Sequence, residues 1–77
     1  MEFEVIGEVS SVEVIARGED IRDLAYLIAA YGRGDWWKLK GLARIRLPDG
    51  RVMNAELHWY QAQGIGVRDL KVKHYWD

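Results

Sequence analysis

Two alternating segments joined by a Pro-Asp-Gly turn constrain the fold of this chain more than any other feature. Apolar residues occupy every second position in 43–47 and again in 53–59. A period of two is typical of a β-strand that buries one face, and Pro48-Asp49-Gly50 fits a three-residue hairpin loop whose last residue is left-handed. The segments therefore predict an antiparallel hairpin over 37–60. Its predicted pairs are Leu47 with Arg51, Ile45 with Met53, Ala43 with Ala55 and Leu39 with Trp59.

A third alternating segment, 68–76, follows a glycine-containing loop and extends the predicted sheet. Leu70, Val72, His74 and Trp76 share one side of this strand, so we expect that side to continue the apolar face. A slip of one residue would bury charges, and the apolar residues therefore define the register. The predicted pairs are Trp59 with Leu70, Leu57 with Val72 and Met53 with Trp76.

The N-terminal region alternates twice, with a change of parity at Ser10-Ser11. Residues 3–9 and 12–16 each have apolar side chains or glycine at every second position. A two-residue hairpin turn at Ser10-Ser11 explains the change, and so does one long strand bent by a β-bulge. Because the sequence does not separate these alternatives, the predicted sheet has four to five strands.

Residues 20–31 have the 3.6-residue periodicity of one helix. Asp20 can cap its amino terminus, and Gly32 suits the position after its last turn. We expect this helix to cover the apolar face of the antiparallel sheet, in a single α+β domain of residues 1–77 with the order β(β)-α-β-β-β. The predicted core comprises Val5, Ile21, Leu24, Ile28, Leu39, Ile45, Leu57, Trp59 and Val72.

Composition narrows the classes of function and partner. The chain has no cysteine, which excludes disulfides and thiolate metal sites, and we predict no cofactor. Its longest apolar run, 24–31, is too short to span a membrane, and the acidic N-terminal stretch lacks the features of a signal peptide, so a cytoplasmic protein is expected. Residues 1–31 contain seven acids and two bases, whereas 32–77 contain five acids and nine bases. These halves can attract each other within one chain or across a homodimer, or the basic half can bind an anionic partner. The small size of the chain, its nine aromatic residues and the opposite charges of its halves together predict a homodimer.

The side of the sheet opposite the apolar face, here called the polar face, is the predicted functional surface. Antiparallel sheets often leave one face in water, which explains polar residues there but not an excess of cations over its one acid, Glu56. Lysine and arginine neutralise phosphates, and tyrosines can stack on bases. We therefore predict binding of RNA or of a protein partner at this surface, with a purely structural subunit as an alternative. The predicted binding residues are Lys38, Lys40, Arg44, Arg46, His58, Tyr60, Lys71, Lys73 and Tyr75.

Catalytic groups are scarce in this chain. His58, predicted to lie between Lys40 and Lys71, is the one candidate general base for phosphodiester cleavage, but a surface histidine needs no catalytic role, and an enzyme is not the main expectation. His74 falls on the apolar side by parity. Two histidines on opposite faces make no metal site, so we predict none.

Two resemblances bear on function. The stretch "WWKLKGLARIRLPDGRVMNAELHWYQAQGIG…DLKVKHY" resembles a family of short uncharacterised prokaryotic proteins. More loosely, "KLKG", "ARIRLPDGRVM" and the final "KHYW" look like the sheet of RelE/ParE-type toxins, which are ribosome-dependent ribonucleases or gyrase inhibitors paired with an antitoxin. This second resemblance implies RNA contact or catalysis by Lys38, Lys40, Arg44, Arg46, His74 and Tyr75. This chain departs from the toxins, which usually have two helices before the sheet, because it has one helix and an acidic strand region there.

Overall fold

Four strands form one antiparallel sheet in chain order, with a single α-helix between the first two. The computed structural model describes residues 2–77. The sheet order is β1-β2-β3-β4, so the four-stranded alternative is the observed one. The elements are β1 (Glu4–Arg17), a 3₁₀ turn (Gly18–Asp20), α1 (Leu24–Tyr31), β2 (Trp37–Arg46), β3 (Val52–Ala62) and β4 (Gly66–Trp76).

The predicted hairpin of β2 and β3 is confirmed in every pair. Leu39 lies opposite Trp59, and Ile45 lies opposite Met53. The Leu47 amide donates to the Arg51 carbonyl at 2.8 Å, and Gly50 has a φ of +91°. The three-residue loop and its left-handed glycine thus set the register of the two central strands.

The N-terminal region is one long bent strand rather than a hairpin. Ser10 lies opposite Leu42 and Glu13 opposite Lys40, so two residues of β1 oppose one residue of β2 between these pairs. Ser11 has a φ of +52° at this bulge. The β-bulge alternative therefore explains the change of parity.

The outer strand β4 follows the predicted register only in part. Leu57 lies opposite Val72 as expected, but an extra residue, Lys73, then shifts the strand. Trp76 consequently lies opposite Asn54, and the predicted pair with Met53 is wrong. The predicted pair of Trp59 with Leu70 is also wrong. A second bulge, at Asp69-Leu70, precedes the pair of Tyr60 with Arg68.

The apolar face forms the main core without help from the helix. Ile45 and Leu57 are fully buried there, and the bent β1 contributes half-buried side chains such as Val5 and Val9. Gly41 permits this close approach, since a Cβ atom at that position would lie 2.5 Å from Val9 Cγ1. Five predicted core residues are buried, namely Ile21, Leu39, Ile45, Leu57 and Trp59. Four are half-buried, namely Val5, Leu24, Ile28 and Val72.

The helix packs on the opposite side of the sheet from the one predicted. Its buried Leu27 clusters with Trp36, Tyr60 and Ala62, and Tyr60 lies opposite Lys38 on the polar face. An eight-residue helix is too short to cover the whole sheet, whereas Tyr60 and Ala62 give β3 a second apolar side at its end. The helix therefore covers one end of the polar face.

The helix is also shorter than predicted. Residues Gly18–Asp20 form a 3₁₀ turn, and Asp23 rather than Asp20 precedes α1. The Asp23 carboxylate makes no capping hydrogen bond to the helix, because it accepts a hydrogen bond from Tyr60 instead.

Candidate functional site

The middle of the polar face has the arrangement predicted for His58. Its partners across the sheet are Lys40 on β2 and Lys71 on β4. Glu56 lies opposite His74, not beside Lys73 as expected, because the extra residue in β4 brings His74 to this side. The polar face therefore has both histidines, and the expectation that His74 lies on the apolar side is wrong.

Two of the predicted cations are neutralised within the chain. Lys40 Nζ lies 3.7 Å from a Glu13 carboxylate oxygen, and Arg46 Nε lies 3.7 Å from one of Glu4. Both acids are on β1, beside β2 in the sheet. Part of the charge asymmetry between the two halves is thus balanced by intramolecular ion pairs, one of the alternatives that the sequence left open.

Four of the six predicted cations have no carboxylate within 4.0 Å among residues 2–77. Lys38 holds its ammonium 5.7 Å from the centre of the Tyr60 ring, an attractive geometry for a cation. Arg44 lies across from Asn54, and Lys71 lies across from His58. The four cations are Lys38, Arg44, Lys71 and Lys73.

Three of these cations line one groove of about 460 Å³ between the start of the helix and the sheet. We call this surface the basic groove. Its charged residues are four cations and two acids: Lys38, Lys71, Lys73, Arg22, Asp20 and Asp23. One of the acids is already engaged, since the Tyr60 hydroxyl donates to Asp23 Oδ2 at 3.0 Å. The four cations outnumber the two acids, so the net charge of the groove is positive and favours a negatively charged ligand.

The opposite end of the polar face has an exposed aromatic ring. Trp76 lies across from Asn54 and is 45 % exposed. Together with Arg44 it lines a cleft of about 220 Å³. Sequence reasoning placed Trp76 on the apolar face, and no signal in the alternating pattern revealed the one-residue shift that moves it.

Neither of the two tyrosines predicted to stack on bases is accessible on the polar face: Tyr60 lies there but is buried, and the predicted place of Tyr75 on that face is wrong. Tyr60 is 3 % exposed, and burial together with its hydrogen bond to Asp23 raises its pKa to about 12. Tyr75 lies opposite Ala55 on the apolar side, where it is 46 % exposed. Trp76 therefore provides the accessible ring that sequence reasoning assigned to these tyrosines.

The candidate general base, His58, is nearly buried. Only 9 % of the residue is exposed, and its Nε2 lies 2.7 Å from Glu56 Oε2. The hydrogen bond from His58 lowers the pKa of Glu56, and the charges of Lys40 and His74 lower it further. Because the residue is nearly buried, the geometry fits a structural pair better than a group that takes a proton from a ligand.

Within residues 2–77, no three His, Asp or Glu side chains cluster closely enough to hold a metal ion. The one α-helix there is not long and apolar enough to cross a membrane. Comparison of the chain with family models, curated proteins and solved structures found no match.

Proposed function

We propose that this protein is a binding module for single-stranded RNA, which lies along the polar face from the basic groove to Trp76. The observation that supports this proposal best is the group of unpaired cations in the groove. Phosphate contacts supply most of the affinity of such proteins, and an exposed ring supplies stacking for a base. Both features occur on one side of one sheet.

A single strand fits this surface better than a duplex. The unpaired cations and Trp76 lie on strands about 5 Å apart, so an extended strand can meet both. Its unstacked bases are free to stack on a side chain, whereas those of a duplex are not. Arg44 and Asn54 beside Trp76 offer hydrogen bonds to base edges. We expect weak sequence preference, because stacking and phosphate contacts accept every base.

The test is fluorescence anisotropy of a labelled single-stranded RNA of mixed sequence over a series of salt concentrations. Each phosphate contact adds about −0.7 to the slope of log K against log salt. The double variant Lys38→Ala/Lys71→Ala should therefore bind more weakly and reduce the slope by about 1.4. The matched control is Arg33→Ala/Arg51→Ala, which removes the same charge from exposed positions outside the groove.

Three results would contradict the proposal. The first is absence of binding by the wild type at low salt, and the second is equal weakening by both double variants. The third is tighter binding of polyglutamate than of RNA, which would assign the groove to an acidic protein partner instead.

A second experiment tests the ribonuclease activity that the toxin resemblance implies. The labelled RNA is incubated with the protein, with and without ribosomes, and cleavage is measured on a gel. That activity stays a prediction, and loss of cleavage in His58→Ala would support it.

We further propose that the protein self-associates, as the sequence led us to expect. The supporting observation is that, among residues 2–77, seven of the ten exposed large apolar side chains lie on the two outer strands. They are Val12, Val14 and Ile15 on β1, and Val67, Leu70, Tyr75 and Trp76 on β4.

The cytoplasmic location expected from the sequence also stays a prediction.

A further inference from the structure

The two outer strands leave two long edges of the sheet unpaired. β1 and β4 each have one neighbour in the order β1-β2-β3-β4. β1 is 14 residues long, and β4 is 11 residues long. Exposed edges of this length are templates for another strand. Since four strands alternate in direction, β1 and β4 run opposite ways, and β1 of a second copy would continue the sheet in antiparallel order.

The charges on the edges distinguish between the ways in which two copies can pair. β1 has three acids and one base, namely Glu4, Glu8, Glu13 and Arg17, whereas β4 has three bases and one acid, namely Arg68, Lys71, Lys73 and Asp69. Like charges directly opposite each other destabilise a pair of strands. The net charges of the two strands are opposite, so pairing β1 with β4 brings acids to bases, whereas pairing either strand with its own copy brings together strands of like net charge.

We propose that β1 of one copy pairs with β4 of a second copy, in the register that sets Ser10 opposite Lys71 and Glu13 opposite Arg68. This proposal deepens the proposed self-association and rests on it. All four residues point to the polar side of their own sheet, since their in-chain partners Leu42, His58, Lys40 and Tyr60 do so. The faces of the two copies therefore agree across the seam.

One bulge of β1 coincides with one bulge of β4 in this register. Ser11 and Val12 form the bulge of β1 between the two pairs, and Leu70 and Asp69 form that of β4. Ser11 and Asp69 have φ values of +52° and +55°, and they are the only non-glycine residues with positive φ in 2–77. Bulges normally protect an edge from pairing, but two bulges at the same level leave the flanking residues in step.

The same register also matches side chains on either side of these two bulges, including the extra residue Lys73 of β4. Val14 meets Val67, and both are exposed in the single chain. Glu8 meets Lys73, and neither has an ion-pair partner among residues 2–77. The contact of β1 with β4 is heterologous, so two copies form two such seams where their eight strands close into a ring around a two-fold axis.

Sedimentation equilibrium at low salt, together with a charge exchange, tests the proposal. We expect a dimer of the 8.9 kDa chain, in which Glu8→Lys or Lys73→Glu alone raises the dissociation constant about tenfold. The double variant Glu8→Lys/Lys73→Glu should restore the wild-type constant, and so should an equal mixture of the two single variants. Both positions are exposed and far from the core, and circular dichroism would verify that each variant folds.

The outcomes separate this proposal from the self-association on which it rests. A monomer at every concentration would overturn both. A dimer that the single variants do not weaken, or that the exchange does not restore, would overturn the seam and leave self-association standing. A control pair, Glu19→Lys with Arg33→Glu, exchanges the same charges at exposed positions outside the outer strands, and it should leave the dissociation constant unchanged.

Discussion

Tyr60 on β3 donates its hydroxyl hydrogen to Asp23, the residue before the helix, across 37 positions of the chain. This bond ties the helix to the end of the sheet that it covers. It also holds the Asp23 carboxylate at the edge of the basic groove, where this acid keeps its negative charge beside the four cations. The same pair thus links the packing of the helix to the electrostatics of the candidate site.

Replacing Tyr60 with phenylalanine should destabilise the protein by about 1–2 kcal/mol at neutral pH, because a buried hydrogen bond to a charged acceptor is lost. Denaturant unfolding of Tyr60→Phe measures this change. Tyr75→Phe is the matched control, since that hydroxyl has no hydrogen-bond partner among the described residues and should cost almost nothing. Equal stability of the Tyr60 variant and the wild type would contradict the importance of the bond.

The pH dependence of stability should show the same bond. The folded-state pKa of Tyr60, about 12, lies above its ordinary value of 10.0. Its contribution is therefore fully present below pH 10 and is lost as the pH rises toward 12, because the unfolded chain releases the proton first. Unfolding curves of wild type and Tyr60→Phe should converge over this range. Parallel loss in the two proteins would show that other groups, such as Tyr31, dominate alkaline unfolding.

Gly41 should tolerate no side chain. A Cβ atom there would lie 2.5 Å from Val9 Cγ1 and 3.2 Å from the Ser10 carbonyl oxygen, so Gly41→Ala should destabilise the protein by about 1–3 kcal/mol. Adding Val9→Ala removes the closer clash, and the double variant should be less destabilised than the sum of the two single variants. Simple additivity in thermal or denaturant unfolding would show that β1 does not press on Gly41.

Removing an acid should strengthen binding if the polar face binds RNA. Glu13 neutralises Lys40 at 3.7 Å, so Glu13→Gln would free this lysine for a phosphate and steepen the salt slope by about 0.7. Glu19→Gln removes an equal charge from the exposed 3₁₀ turn and serves as the control. The anisotropy assay measures both, and an equal gain in the two variants would indicate only a general effect of net charge.

Trp76 should contribute stacking to the same complex. Truncation of a stacked ring costs about 1–3 kcal/mol, so Trp76→Ala should weaken RNA binding by roughly tenfold or more while leaving the salt slope unchanged. Tyr26→Ala removes another exposed ring, which lies on the helix, and should have little effect on affinity. A changed slope with unchanged low-salt affinity would contradict a stacking role.

The hairpin was predictable because its signals are local. The Pro-Asp-Gly turn defines the loop, and the alternation of residues such as Ile45 and Met53 then leaves one register. The course of β4 was not predictable in the same way. Its Leu-Lys-Val-Lys pattern alternates without interruption, and the bulges at Asp69 and Lys73 arise from the twist and pairing of the outer strand, which a period of two does not report.

The sequence was also ambiguous about the side of the sheet on which the helix packs. Trp59 and Tyr60 are adjacent apolar residues, so the end of β3 has two sides that a helix can cover. The predicted fold placed the helix on the side of the sheet that has more apolar residues. Instead the bent β1 covers much of that side itself, and only the long-range contacts of Val5 and Val9 reveal this.

The single extra residue at Lys73 gives this protein a simple route to a different surface. If Lys73 instead took a regular position opposite Glu56, every later residue of β4 would move by one position, so His74 and Trp76 would turn to the apolar side and Tyr75 to the polar side. No side chain would need to change for the exposed ring and the second histidine to leave the polar face together. The presence or absence of one bulge in this strand would thus be enough to separate relatives that share the fold but not the ligand.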